Sequence, residues 1–225
     1  MYTVKFTSIF IFKIVLIILK EFKNKQLKKV KIMKKFIYVL LFAFGFANLV
    51  NAEQGKFRLG LELGWTPIEL EAEQTAQSIA NASGSAVTVE YDKGAFVGRV
   101  FSNYGISSAM FVEGGYFRTT GAGATYKIGA DSASESYDVT GFDISGIFKS
   151  SEGFFGKLGM HNSTVNGDAN VTIGGTSYTA TGSAKGSGPL AGLGYENDGI
   201  RYSATRYMDV GGIEDLTFFS VGVLF

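Results

Sequence analysis

Six charged residues, Glu62, Arg99, Glu113, Asp143, Lys157 and Arg201, stand at polar positions of six separate segments whose alternate places are apolar. Three are acids and three are bases. Charges gathered on one shielded face must pair, because an isolated buried charge costs several kcal/mol or more. The chemistry expected of this set is mutual neutralisation, since no acid and base in it stand apart as a proton-transfer couple would. The single histidine offers a second possibility. In His161-Asn162-Ser163 the two outer side chains share one face of a strand, as a serine nucleophile and its base require. The orienting acid is missing: no Glu lies between Glu152 and Glu196, and Asp168, the nearest carboxylate, falls in an expected loop. The pair is therefore expected to be a polar strand end, and no catalytic residue, metal ligand or cofactor site is expected. Absence of cysteine removes disulfides, thiolate metal sites and a Cys nucleophile. Gly182 to Gly188 lacks the Lys-Ser/Thr ending of a phosphate loop and reads as a surface loop. Asn162-Ser163-Thr164 and Asn170-Val171-Thr172 match glycosylation acceptors in form only and read as loop polarity.

The elements that must carry these residues have a period of two. In Lys56 to Pro67, Phe57, Leu59, Leu61, Leu63 and Trp65 share one face while Arg58, Gly60, Glu62 and Gly64 share the other. Leu216 to Phe225 repeats the pattern, with Phe219, Val221, Val223 and Phe225 together. Six further strands are expected over about Ala95 to Phe101, Ser108 to Phe117, Tyr137 to Phe148, Gly153 to Asn162, Pro189 to Tyr195 and Ile200 to Met208. After Ala52 no useful window carries the helical spacing of apolar residues. Long Gly-, Ser-, Thr- and Ala-rich connections are expected at Ile68 to Lys93, Arg118 to Ser136 and Ser163 to Gly188, with a shorter one at Asp209 to Asp215. Brief ones are expected at Ser102 to Gly105, Lys149 to Glu152 and Glu196 to Gly199. Long loops at one end and tight turns at the other predict an eight-stranded antiparallel up-and-down transmembrane β-barrel.

The 225-residue chain divides sharply by charge: residues 1–52 carry a net +9 and the remainder a net −8. An acidic body lacks the basic footprint of a nucleic-acid-binding protein. Met33-Lys34-Lys35, the apolar run Phe36 to Phe46, and Val50 and Ala52 before Glu53 predict a signal peptide over 33–52. Residues 1–32 read as an over-extended start, with an N-terminal membrane anchor as the competing reading. The body, 53–225, is one domain.

Alternation alone also suits a secreted sandwich or lipocalin-like barrel with the oily face inward. The distribution of bulk favours the membrane. Gly, Ser and charge suit a narrow filled interior, and large aromatics near strand ends suit lipid girdles. Phe111-Val112-Glu113-Gly114-Gly115-Tyr116, Pro189-Leu190-Ala191-Gly192-Leu193-Gly194-Tyr195-Glu196, Ile200 to Tyr207 and Ser220-Val221-Gly222-Val223-Leu224-Phe225 add order and spacing to that reading. On these segments, residues 56 to 225 resemble the small outer-membrane β-barrel domains typified by the N-terminal domain of outer-membrane protein A. The resemblance implies an internal gate in which Glu113 pairs with Arg99, Lys157 or Arg201. It also implies an assembly signal in Phe219, Val221, Val223 and Phe225, read by the barrel assembly machinery. The family's peptidoglycan-binding domain is not expected here. An outer-membrane lipid A deacylase family uses a His and Ser with a Glu about a dozen residues on, where this chain has Gly174 and Gly175.

The expected function is that of a non-enzymatic bacterial outer-membrane barrel in envelope integrity, or in surface interaction and adhesion through its loops. Its expected partners are outer-membrane lipid, lipopolysaccharide, the assembly machinery and a host or surface ligand, with no nucleic acid and no cofactor. A narrow channel for small or apolar solutes and a lipid-modifying enzyme are the alternatives.

Overall fold

In the computed structural model, residues 55–68, 70–212 and 214–225 are described. They belong to one of the chain's two compact units, Ala47–Phe225. The expected signal peptide, its cleavage site and the segment 1–32 lie outside the described residues. The strands are β1 (Phe57–Pro67), β2 (Thr88–Tyr91), β3 (Gly94–Gly105), β4 (Met110–Thr119), β5 (Ala122–Ile128), β6 (Asp131–Lys149), β7 (Phe154–Ile173), β8 (Thr176–Asn197), β9 (Ile200–Val210) and β10 (Glu214–Leu224), with one helix, α1 (Ala72–Ser83).

All strand pairings are antiparallel, and the sheet has ten strands where the sequence predicts eight. Eight of the ten pair in a closed cycle, β1-β3-β4-β6-β7-β8-β9-β10 and back to β1. A sheet closed in this way has no edge along the ring. The ladder continues beyond β10, where Phe225 and Leu59 exchange two backbone hydrogen bonds. β2 and β5 are the additional strands: β5 pairs with the outer end of β6, and β2 with β5.

The three expected long loops are instead structured. Ser163 to Gly188 forms the outer halves of β7 and β8, closed by the Gly174-Gly175 turn, in which both residues have positive φ (57° and 80°). Two such residues satisfy a two-residue hairpin turn of primed type. The Gly-, Ser- and Thr-rich composition that reads as loop is strand because the register set in the ring carries on unbroken into it. Gly182 to Gly188 is therefore strand, and so are Ser132 and Glu135. Arg118 to Ser136 contains β5, and Ile68 to Lys93 contains α1 and β2. The helix escapes the apolar-period test because its buried positions are Ala72 and Ala76, followed by the partly buried Ile79. They lie on Ala124 and Tyr126, forming a small core of their own, and Gly84 ends the helix in the left-handed conformation.

The tight turns also shift. Ser102 to Gly105 is part of β3, and the reversal occurs over 106–109, where Ile106 N–H donates to Met110 O at 2.9 Å. β8 runs two residues further than expected, to Asn197, and turns at Asp198-Gly199. Both extensions place polar side chains, Asn103 and Glu196, inside the ring.

Candidate functional site: the interior of the ring

Alternation sends one face of every ring strand inward. Glu62, Arg99, Glu113, Asp143, Lys157 and Arg201 are all buried on that face, and the ring brings all six together. Arg99 grips Asp143 with two parallel bonds, Nε to Oδ2 at 2.9 Å and Nη2 to Oδ1 at 2.6 Å, and donates from Nη1 to Glu62 at 3.1 Å. Glu113, fully buried at 0% exposure, is the hub. Its Oε1 meets Arg99 at 2.9 Å and Lys157 at 3.1 Å, and its Oε2 accepts from Arg201 Nη1. The sequence-level choice among three bases for Glu113 resolves into all three.

Glu196 completes the set. It accepts from Arg201 Nη2 at 2.8 Å, from Lys149 at 2.9 Å and from Arg58 at 3.0 Å, the last two reaching in from the end of the ring that holds the short turns. The expected three-against-three balance thus becomes a larger network with a fourth buried acid and two rim bases. The signal for Glu196 lies in alternation itself: carried past Tyr195, it points this residue inward.

Planar guanidinium groups suit such a network because one group can serve several carboxylates in fixed geometry. Their flat faces are used as well. Phe101 lies between Arg99 and Arg201, each 4.8 Å from its ring centroid, and Phe155 lies 5.0 Å from Arg201. The inner glycines provide room: a Cβ at Gly115 would come within 2.7 Å of the Arg99 guanidinium, and one at Gly60 within 2.2 Å of Phe101.

The expectation of an inner face made of Gly, Ser and charge holds only for this layer. Nearer the long hairpin the interior is apolar, filled by Val97, Phe117, Leu190, Tyr207, Leu216 and Phe218. Phe117, Tyr207 and Phe218 pack in mutual contact with centroid separations of 4.6 to 5.4 Å. Tyr207 joins the layers, its hydroxyl donating to Asp143 at 3.0 Å.

His161 and Ser163 do share the inward face, as their spacing predicts. His161 is engaged by the end of β9 and Ser163 by the β9–β10 connection. His161 Nε2 is 2.7 Å from Met208 O, so the proton on that nitrogen is donated to the carbonyl, and Ser163 Oγ accepts from Gly211 N–H at 2.9 Å. The two side chains fasten the end of β9 and the turn after it across the end of the apolar layer. Among the described residues, no group of three or more His, Cys, Asp or Glu side chains is arranged to hold a metal ion.

The other face of the ring is apolar in a band. Leu63, Phe96, Phe142, Phe154, Leu193 and Phe225 are each more than 60% exposed, and Phe219, Val221 and Val223 are exposed beside them. From Phe57 to Trp65 the band spans about 20 Å, at about 3.3 Å per residue with strands tilted by about 40°. Above Phe142, Met160 and Pro189 the same face changes to Thr140, Asn162, Thr164, Lys185 and Ser187.

No protein-family model and no curated protein sequence matches the chain. Among solved structures, it is similar to Ail, the attachment invasion locus protein of Yersinia pestis, at 13% identity and a TM-score of 0.44 over 76% of this chain and 99% of that one. It is similar to the outer membrane protein OprG of Pseudomonas aeruginosa at 10% identity and a TM-score of 0.45, over 78% of this chain and 98% of that one. A further likeness, to Neisserial surface protein A, has 14% identity and a TM-score of 0.31 over 75% of this chain and 94% of that one.

Proposed function

We propose that the ring is an eight-stranded up-and-down β-barrel spanning a bacterial outer membrane, with a closed interior and no enzymatic activity. One observation carries this reading. A ring without edges has its large apolar side chains pointing out and an ion-paired network pointing in, the inverse of a soluble β protein. In this reading the band from Phe57 to Trp65 lies in lipid. The short turns face the periplasm, and the extended β6–β7–β8 sheet with β5, β2 and α1 stands outside the cell.

The raised sheet suits a role in surface interaction or envelope integrity. It is a large, acidic, ordered platform rather than a set of floppy loops, so a host or surface ligand would meet a preformed surface. Lipid and lipopolysaccharide are the constant partners of the band. Phe219, Val221, Val223 and Phe225 are the residues we assign to recognition by the barrel assembly machinery. Neither nucleic acid nor a cofactor enters this reading. The test is refolding into detergent and liposomes. A heat-modifiable species with β-rich circular dichroism and protease-resistant strands supports the reading, whereas a water-soluble β-rich monomer that ignores liposomes overturns it.

A further inference from the structure

The outward face carries a second arrangement of charge. Arg118 pairs in register with Thr140, Thr140 with Thr164, and Thr164 with Lys185. The four residues therefore form one row across β4, β6, β7 and β8, a cation at each end and two hydroxyls between. Three interstrand spacings separate the ends by about 14 Å. The row begins where the apolar band stops: one step below it lie Tyr116 and Phe142, whose rings are in contact at 5.0 Å. Because strands in a barrel tilt, the row climbs from that boundary toward the outside.

Both end cations are exposed, and among the described residues neither is engaged in an ion pair. Two other exposed cations of this outer region are held. Arg206 binds Asp215 at 2.9 Å, and Lys127 lies 3.4 Å from Glu90. The carboxylate next above the row, Asp138, accepts from Asn166 at 3.3 Å.

We propose that Arg118, Thr140, Thr164 and Lys185 seat the headgroup of an outer-leaflet glycolipid that carries a phosphate at each end of a two-sugar unit. The cations take the phosphates and the threonine hydroxyls bond the sugars. The acyl chains run down over Phe142, Ile144 and Met160. Two separated cations discriminate a doubly phosphorylated ligand from a singly phosphorylated one, which a lone surface charge cannot do. This rests on the outer-membrane reading.

The experiment uses the barrel in phosphatidylcholine nanodiscs containing a few mole per cent of diphosphoryl lipid A, monophosphoryl lipid A or phosphatidylglycerol. Lipid retained after gentle delipidation is counted by native mass spectrometry. Diphosphoryl lipid A should be retained at least fivefold over the other two. Arg118→Ser and Lys185→Ser should each reduce this preference about fivefold, and Arg206→Ser should leave it unchanged. Equal retention of all three lipids, or a double variant that keeps the preference, would overturn the site. Displacement of the lipid by millimolar pyrophosphate would assign the row to free phosphate and overturn the lipid assignment. Heat-modifiability and insertion are scored on the same samples, so failure to insert refutes the membrane reading, and insertion without preference refutes the site alone.

Discussion

Phe225 and Leu59 exchange both of their backbone hydrogen bonds, each 2.9 Å long, so the seam between β10 and β1 is paired through the residue that follows β10. The side chains of both residues point out of the ring and are exposed. Closure and the exposed apolar surface therefore meet at one place. Phe225→Asp puts a carboxylate on that surface without removing the backbone bonds. It should lower the yield of heat-modifiable protein several-fold in cells, while Glu152→Lys in the β6–β7 turn should leave it unchanged. Equal yields, read by unheated gel electrophoresis of membranes, would remove Phe225 from assembly.

Glu113→Ala withdraws the one carboxylate among the described residues that touches Arg99, Lys157 and Arg201 together. Leaving buried bases short of a partner costs about 3–5 kcal/mol. The unfolding transition in detergent should fall accordingly. In planar bilayers the variant should show raised leak conductance over a nearly silent wild type. Unchanged stability would mean that Glu62, Asp143 and Glu196 suffice to neutralise these bases without Glu113.

The raised sheet has its own fastening. Tyr126 and Tyr137 donate their hydroxyls to the two oxygens of Glu135 at 3.0 and 2.8 Å. Burial, together with the Glu135 carboxylate, pushes the Tyr126 phenol up to about 12, and Tyr137 is raised by the same causes. The folded state therefore favours the neutral phenol. Its contribution is complete below pH of about 10, where an unfolded tyrosine titrates, and is lost as pH rises through about 12. Glu135→Ala should speed amide exchange across 122–137 with little change in the melting of the ring, as read by hydrogen-exchange mass spectrometry at neutral pH. Alkaline pH should loosen the same segment of the wild type, as read by tyrosinate absorbance at about 295 nm rising together with loss of its near-ultraviolet circular dichroism.

His161→Ala removes a bond to the end of β9, and Ser163→Ala removes one to the turn that follows it. The loss is about 0.5–1.5 kcal/mol apiece. Exchange at Gly211 and its neighbours should rise, and hydrolysis of an ester-linked lipid should be absent in wild type and variants alike. Wild-type hydrolysis that either substitution abolishes would restore the enzyme reading.

Alternation made the ring's strands, its inward charges and its outward aromatics legible, because each depends only on a side chain's parity along its strand. Where strands ended was not legible. Gly, Ser and Thr in the outer halves of β7 and β8 lack the bulk that marks a strand, yet they continue a ladder already fixed in the ring. Asn103 and Glu196 were lost for the same reason: polar residues beside turns look like turn. α1 was hidden because its contact face is built on alanine. The apolar inner layer was missed although parity puts Phe117 on the face of Glu113 and Phe218 opposite Phe219, because the inward face was expected to carry Gly, Ser and charge rather than bulk.

The chain has no cysteine, so single cysteines can be placed at will for spin labelling. Labels at each position of β1 from Leu59 to Trp65, in lipid nanodiscs, should show oxygen accessibility with a period of two. Leu59, Leu61, Leu63 and Trp65 should be high, and Gly60, Glu62 and Gly64 low. High accessibility at the even positions, or no periodicity, would contradict a barrel with its apolar face in the membrane and its charges within.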